Sequence, residues 1–143
     1  WLKRAEGVAE RTFEFTEYLV DRRQQADLGA RWAGKLCYHP SCHLMRGLGV
    51  DRQPRALLEA VRDAEIVPLP EREDCCGFGG VFSVEHPELS GEFLKRKIGN
   101  FESTGSPTLV VADTGCLMHI QGGLRRRGIS QRVVHIAEVL DSR

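Results

Sequence analysis

The sequence predicts an α/β domain: a small Rossmann-like parallel sheet of about four strands, with helices on both faces and a further helix in front of it. Two observations carry that prediction. Strand-like and helix-like stretches alternate along most of the chain, which implies right-handed crossovers and a parallel sheet covered on both sides. The chain's 143 residues, 41% hydrophobic and 28% charged, suit one buried core of ordinary globular composition.

The elements follow in order. Residues 5–21, AEGVAERTFEFTEYLVD, place Val8, Thr12, Phe13, Thr16 and Leu19 at helical spacing and predict one amphipathic helix. The polar stretch RRQQADLGARWAGK then reads as loop or linker, so residues 1–34 form a helix and linker and residues 35–143 the main domain. KLCYH (35–39) is the first strand, ended by a turn through Pro40. Pro54 suits the first position of a helix whose buried stripe is Leu57, Leu58 and Val61. EIVPLP (65–70) is the second strand, which Pro68 pushes toward an edge or an early end. Pro87 opens a helix in which Leu89, Phe93, Leu94, Ile98 and Phe101 keep helical period until Gly105 stops it. TLVVAD (108–113) is a buried strand, followed by a helix from near Gly115 to RRRG, where Arg125, Arg126 and Arg127 suit the negative end of the helix dipole. RVVH is the fourth strand and IAEVLDS a closing helix.

Lys plus Arg equals Asp plus Glu at 20 each, so the chain has no overall pull toward nucleic acid or an anionic membrane. The run Arg125–Arg127 is explained by a solvated helix end. No apolar run approaches the roughly 20 residues needed to span a bilayer, and WLKRAEGVAER has no signal-peptide core. A soluble, cytoplasmic protein without a membrane span is predicted. The chain opens on Trp1, and its first residues read as the interior of a longer polypeptide.

Five cysteines, an odd number without a secretory mark, argue for metal or redox use rather than a disulfide framework. Cys42 follows the first predicted strand, Cys75 and Cys76 the second, and Cys116 the third. All leave carboxyl ends of parallel strands, where open α/β sheets hold ligands. Cys37 lies inside a strand and is assigned to the core. The spacing is C-x(32)-C-C-G-x(38)-C-x-x-H, from Cys42 to His119. Zinc fingers usually bring ligands in C-x-x-C pairs. Adjacent cysteines have Cα atoms about 3.8 Å apart, below the usual disulfide range, and their side chains diverge. That geometry favours a multi-iron cluster over one zinc without excluding zinc.

Gly77, Gly79 and Gly80 let backbone approach a bulky inorganic group and aim N–H groups at its sulfurs. A phosphate loop is the rival reading, but neither G-x-G-x-x-G nor G-K-[ST] is present. Cys116 is expected at a helix N-terminus, and His119 one turn on, as a ligand or as a hydrogen-bond donor beside the ligands. His39 and His43, flanking Cys42, read as satisfied structural histidines, His135 as a cap or packing residue, and His86 as exposed.

Four stretches, YHPSCHLMRGLGV, DCCGFGGVFSV, DTGCLMHIQGGLRRRG and VVHIAEVL, together resemble the C-terminal cysteine-rich (CCG) domain of the lactate utilization protein A family. That family is similar to the iron-sulfur subunit of glycolate oxidase and the cysteine-rich subunit of heterodisulfide reductase. The resemblance runs from about Leu36 to Arg143, and the N-terminal helix fits the segment joining two CCG repeats. It implies metal ligands at Cys42, Cys75, Cys76 and Cys116, holding an iron-sulfur cluster, 4Fe-4S and noncubane in some relatives, or zinc in others. The family motif ends C-x-x-C, whereas this chain has His119 in the last place, which removes one thiolate.

By the same resemblance the domain would carry electrons in the oxidation of L-lactate, or a similar 2-hydroxy acid, to the 2-oxo acid. Its partners would be the preceding CCG repeat and other subunits of a lactate-oxidising complex, one a ferredoxin-like iron-sulfur protein. The isolated domain is not expected to turn over substrate alone. The alternative is a zinc-binding assembly module of the same complex.

Overall fold

The computed structural model describes residues 1–143. Four strands, β1 (Arg31–His39), β2 (Arg62–Ile66), β3 (Thr108–Val111) and β4 (Arg132–His135), form one sheet in the order β2-β1-β3-β4. Every pair is parallel, with Leu36 beside both Ile66 and Thr108, and Val111 beside His135. The predicted α/β architecture with a helix in front is therefore present.

Alternation along the strands builds a core on each face. Cys37, Leu109, Val111 and Val133 point to the side covered by α5 (Pro87–Ser103) and α6 (Thr114–Arg126), where Leu94, Ile98, Phe101, Ile120 and Leu124 meet them. Leu36, Tyr38, Val110 and Val134 point to the other side, onto Leu57, Leu58 and Val61 from α3 (Arg52–Glu59) and its end, and Ile136, Val139 and Leu140 of α7 (Ile136–Leu140). From β1 the chain moves outward to β2, whereas from β3 it moves the opposite way to β4. The carboxyl ends of β1 and β3 thus flank the topological switch point, where such sheets open a crevice.

The predicted helix over residues 5–21 is two pieces. The helix α1 (Leu2–Ala9) buries no residue. A second, α2 (Phe15–Glu17), runs on as a π-helical turn over Tyr18–Arg22. The break is a capping box inside the apolar stripe: the Glu14 carboxylate accepts the Thr16 and Glu17 N–H groups, and the Glu17 carboxylate accepts the Glu14 N–H. Leu19 and Val20 then pack on the α3/α7 core.

The first strand starts at Arg31, four residues before its sequence-predicted start. Those extra residues are held from outside the hydrophobic pattern. The Arg31 N–H donates to the Ser142 carbonyl, and the Arg62 N–H to that of Ala30. The second strand, expected over 65–70, instead runs Arg62–Ile66: it starts three residues early, held by the Arg62 N–H bond to Ala30, and stops ahead of Pro68 on the sheet's edge. Two helical pieces lacked a sequence signal, a π-helical turn over His43–Leu48 and α4 (Val81–Glu85). No helix is long and apolar enough to cross a membrane.

Candidate metal centre

Three connections deliver the site. After β1 the backbone turns sharply through Ser41, at φ 56°, into Cys42. Asp113 caps α6 by accepting the Cys116 N–H on Oδ1 at 3.0 Å, fixing Cys116 in the first turn, as expected. The long connection from β2 to α4 brings Cys75 and Cys76, and it is pinned by basic residues. Arg72 forms a forked pair with Asp51 (2.7 and 3.2 Å), and Arg96 reaches Asp74 at 3.2 Å. Lys97, only 1% exposed on α5, donates to the carbonyls of Glu71 at 2.8 Å and Arg72 at 3.3 Å.

Two glycines allow this loop to sit close. At Gly77, φ 92°, a Cβ would lie 2.5 Å from the Ser90 carbonyl oxygen and 2.9 Å from Cβ of Phe93. At Gly115 it would strike the Phe78 ring at 2.6 Å. The loop therefore seats against α5 and the start of α6 only because both positions lack side chains. The Gly77 N–H also donates to the Cys75 sulfur at 3.3 Å, while Gly79 and Gly80, at φ 50° and 57°, lead the chain into α4.

The adjacent cysteines face different partners. Cys76 Sγ lies 3.2 Å from Cys116 Sγ, both side chains buried, with Ser41 Oγ 3.7 Å from the latter. Cys75 Sγ lies 3.9 Å from Cys42 Sγ, both half-buried. All five thiols are free. Cys37 is fully buried in the α5/α6 core, as predicted, and burial pushes its thiol up to about 11.

Three of the thiols are shifted toward their neutral form. Cys76 is pushed up to about 12, first by its hydrogen bond to Cys116 and then by burial. Cys75 is raised by the hydrogen bond to Cys76 and by burial, and Cys42 by burial and the neighbouring Cys75 sulfur. A bound cation reverses this, because thiolates ligate and the thiol protons leave.

His135 and His86 stand as the sequence reading had them, whereas His39 and His43, read as satisfied structural histidines, do not. His135 caps α7, its Nδ1 accepting the Ala137 N–H, and His86 and His43 are exposed. His119 sits one turn beyond Cys116 with Nε2 3.4 Å from Ser90 Oγ and its ring tilted on Phe78. His39, read as satisfied, is 1% exposed with both ring nitrogens unpartnered. Burial holds it neutral, down to about 3. Its ring forms a group with Cys76 and Cys116 whose ligand atoms all lie within 4.8 Å of one another.

Sequence reasoning misread His39 as satisfied and passed over Lys97, yet each had a signal. His39 alternates with Cys37 and so shares its face of β1. Lys97 lies three residues after Leu94 and four before Phe101, on the buried stripe of α5. Four sulfurs and an unsatisfied buried imidazole suit a thiophilic ion or cluster.

Residues 36–121 match the CCG family, described as a cysteine-rich domain. The chain is 45% identical over 142 residues to lactate utilization protein A of Oceanobacillus iheyensis, covering 99% of this chain and 58% of that protein. It is 48% identical over 143 residues to lactate utilization protein A of Anoxybacillus flavithermus, covering all of this chain and 60% of the relative. The chain thus spans less than two thirds of the length of these relatives.

Proposed function

The chain belongs to the CCG cysteine-rich domain family, and from that premise we propose that it is the cluster-binding domain of an iron-sulfur oxidoreductase subunit. In this reading it passes electrons during oxidation of L-lactate, or a similar 2-hydroxy acid, to the 2-oxo acid. The observation that carries it is the meeting of four thiols from three connections, with sulfurs paired at 3.2 and 3.9 Å.

Cys42, Cys75, Cys76 and Cys116 hold the metal centre, which supplies one-electron transfer when bound. Gly77 directs its N–H at the Cys75 sulfur, the interaction that tunes potential in such centres. Gly79 and Gly80 shape the rest of the cradle. His119 stands at the rim on Ser90, in the role of a hydrogen-bonding neighbour. Burial pushes the Lys97 ammonium below its ordinary range, and Asp74 and the nearby cysteines partly offset this, so thiolates formed on metal binding would favour its charge. In this reading the working assembly is cytoplasmic and includes a preceding CCG repeat and a ferredoxin-like subunit; the relatives' name, lactate utilization protein A, supports its lactate context.

Anaerobic reconstitution with iron and sulfide tests the reading. A brown protein with charge-transfer absorption, iron and acid-labile sulfide in similar amounts, and a reversible reduction supports it. A chain that takes up no iron under these conditions overturns it. The second reading, a zinc-holding assembly module, is favoured by one observation, the compact His39, Cys76 and Cys116 group. Zinc bound one per chain without sulfide, in anaerobically prepared protein, selects that reading.

A further inference from the structure

The imidazole of His39 is the least explained polar group in the molecule. A neutral imidazole carries one donor and one acceptor, and leaving a buried donor or acceptor unmet costs about 1–3 kcal/mol each. Neither ring nitrogen of His39 makes a hydrogen bond of good geometry; the backbone of Arg72 lies near the ring and weakly favours its protonated form, but it does not satisfy the pair of nitrogens. A histidine kept only for packing has no reason to bear that cost, since an apolar side chain fills the same space without it.

Its position supplies a reason. His39 is the last residue of β1, at the switch-point edge, paired in register with Val111 of β3. Alternation turns it to the face of Cys37, the face onto which Cys76 and Cys116 descend. The sulfurs of Cys76 and Cys116 stand 3.2 Å apart, and the imidazole completes a triangle with no ligand-atom separation beyond 4.8 Å. Metal–sulfur and metal–nitrogen bonds of about 2.3 and 2.0 Å place tetrahedral donors roughly 3.5 Å apart, within reach by side-chain rotation.

We propose that His39 is the nitrogen ligand of the inner metal position, joining Cys76 and Cys116 there. This rests on the metal-centre reading above and deepens it. The ion is one that accepts mixed sulfur and nitrogen donors: zinc, cobalt as its probe, or one iron of a cluster. His119, whose Nε2 faces Ser90 Oγ, remains outside the inner position. The thiolate at each cysteine forms by loss of its proton to solvent as the ion binds, while the neutral imidazole ligates without losing one.

Cobalt(II) binding under anaerobic conditions to the whole chain tests the assignment, with wild type, His39→Leu, His39→Cys and His119→Ala compared. Circular dichroism of the metal-free proteins checks folding. The proposal expects wild type to give tetrahedral d–d bands with thiolate charge transfer. It expects His39→Leu to lose more than about 100-fold in affinity, beyond the 10–100-fold typical of an outer-sphere change, and His119→Ala to stay within about 3-fold. His39→Cys should bind tightly again with a stronger charge-transfer band.

A His39→Leu protein that binds within about 3-fold of wild type, with an unchanged spectrum, overturns the assignment and leaves the metal centre standing. Should His39→Leu fail to fold, nitrogen-15 histidine labelling of the cobalt-loaded protein carrying both His43→Ala and His119→Ala decides. Hyperfine coupling from one imidazole nitrogen supports His39, and no nitrogen coupling overturns it. Wild type that loads neither cobalt nor iron overturns the metal-centre reading itself.

Discussion

The two halves of the cysteine site differ in their surroundings more than in their chemistry. Cys76 and Cys116 form a dry inner pair, 2% and 5% exposed, against the α5/α6 core, whereas Cys42 and Cys75 form a half-buried outer pair. One peptide bond separates Cys75 from Cys76, so adjacency in sequence sorts two thiols into two environments. The lesson is that a CC pair acts as a divider, not as a chelate.

The largest expected effect breaks the inner half. Cys76→Ser removes a buried ligand with nothing to replace it, so metal affinity should fall by more than about 100-fold, while Cys42→Ser, which water can stand in for, should cost about 10-fold. Competition against a chromophoric chelator measures both. Equal losses would erase the distinction between the halves.

A smaller effect attacks the divider. Gly77→Ala must relieve the contact with the Ser90 carbonyl and hold an alanine at φ 92°, so the metal-free domain should lose about 2 kcal/mol or more. Urea unfolding reads it, and an unchanged midpoint would mean that the loop can retreat from α5 freely.

The smallest effect sharpens what dryness means, through Cys37, a thiol in the same core with no site to serve. Its folded value is raised to about 11 from 9.0. A raised value contributes stability that is complete below about pH 9 and is lost as pH rises toward 11, because only the unfolded chain ionises in that window. Stability of the metal-free domain should drop across it by up to about 1.4 kcal/mol per pH unit for this thiol, and Cys37→Ala should flatten the slope.

Much of this arrangement was legible in advance. β3, α5 and α6 declare themselves through continuous apolar runs and helical stripes, and strand order along the chain is enough to bring Cys42, Cys75, Cys76 and Cys116 to one edge. What escaped depends on neighbours. Residues 31–34 of β1 are mostly exposed, so no hydrophobic pattern marks them, and backbone bonds from Ser142 and Arg62 extend the strand instead. The helix break at Glu14 lies within an uninterrupted stripe and uses glutamate where shorter side chains usually cap. The unmet nitrogens of His39 cannot be read from sequence, because satisfaction is a property of the surroundings.

The meeting of three connections also bears on how the domain comes into being. Cys42 meets Cys75 across 33 residues and Cys76 meets Cys116 across 40, so each pairing closes a long loop that the unfolded chain rarely samples. No short segment forms the site by itself. An ion seated there bridges β1, β2 and β3 at once, so its departure should accelerate unfolding of the whole sheet rather than loosen one loop, and its uptake should wait until the parallel strands have found their register.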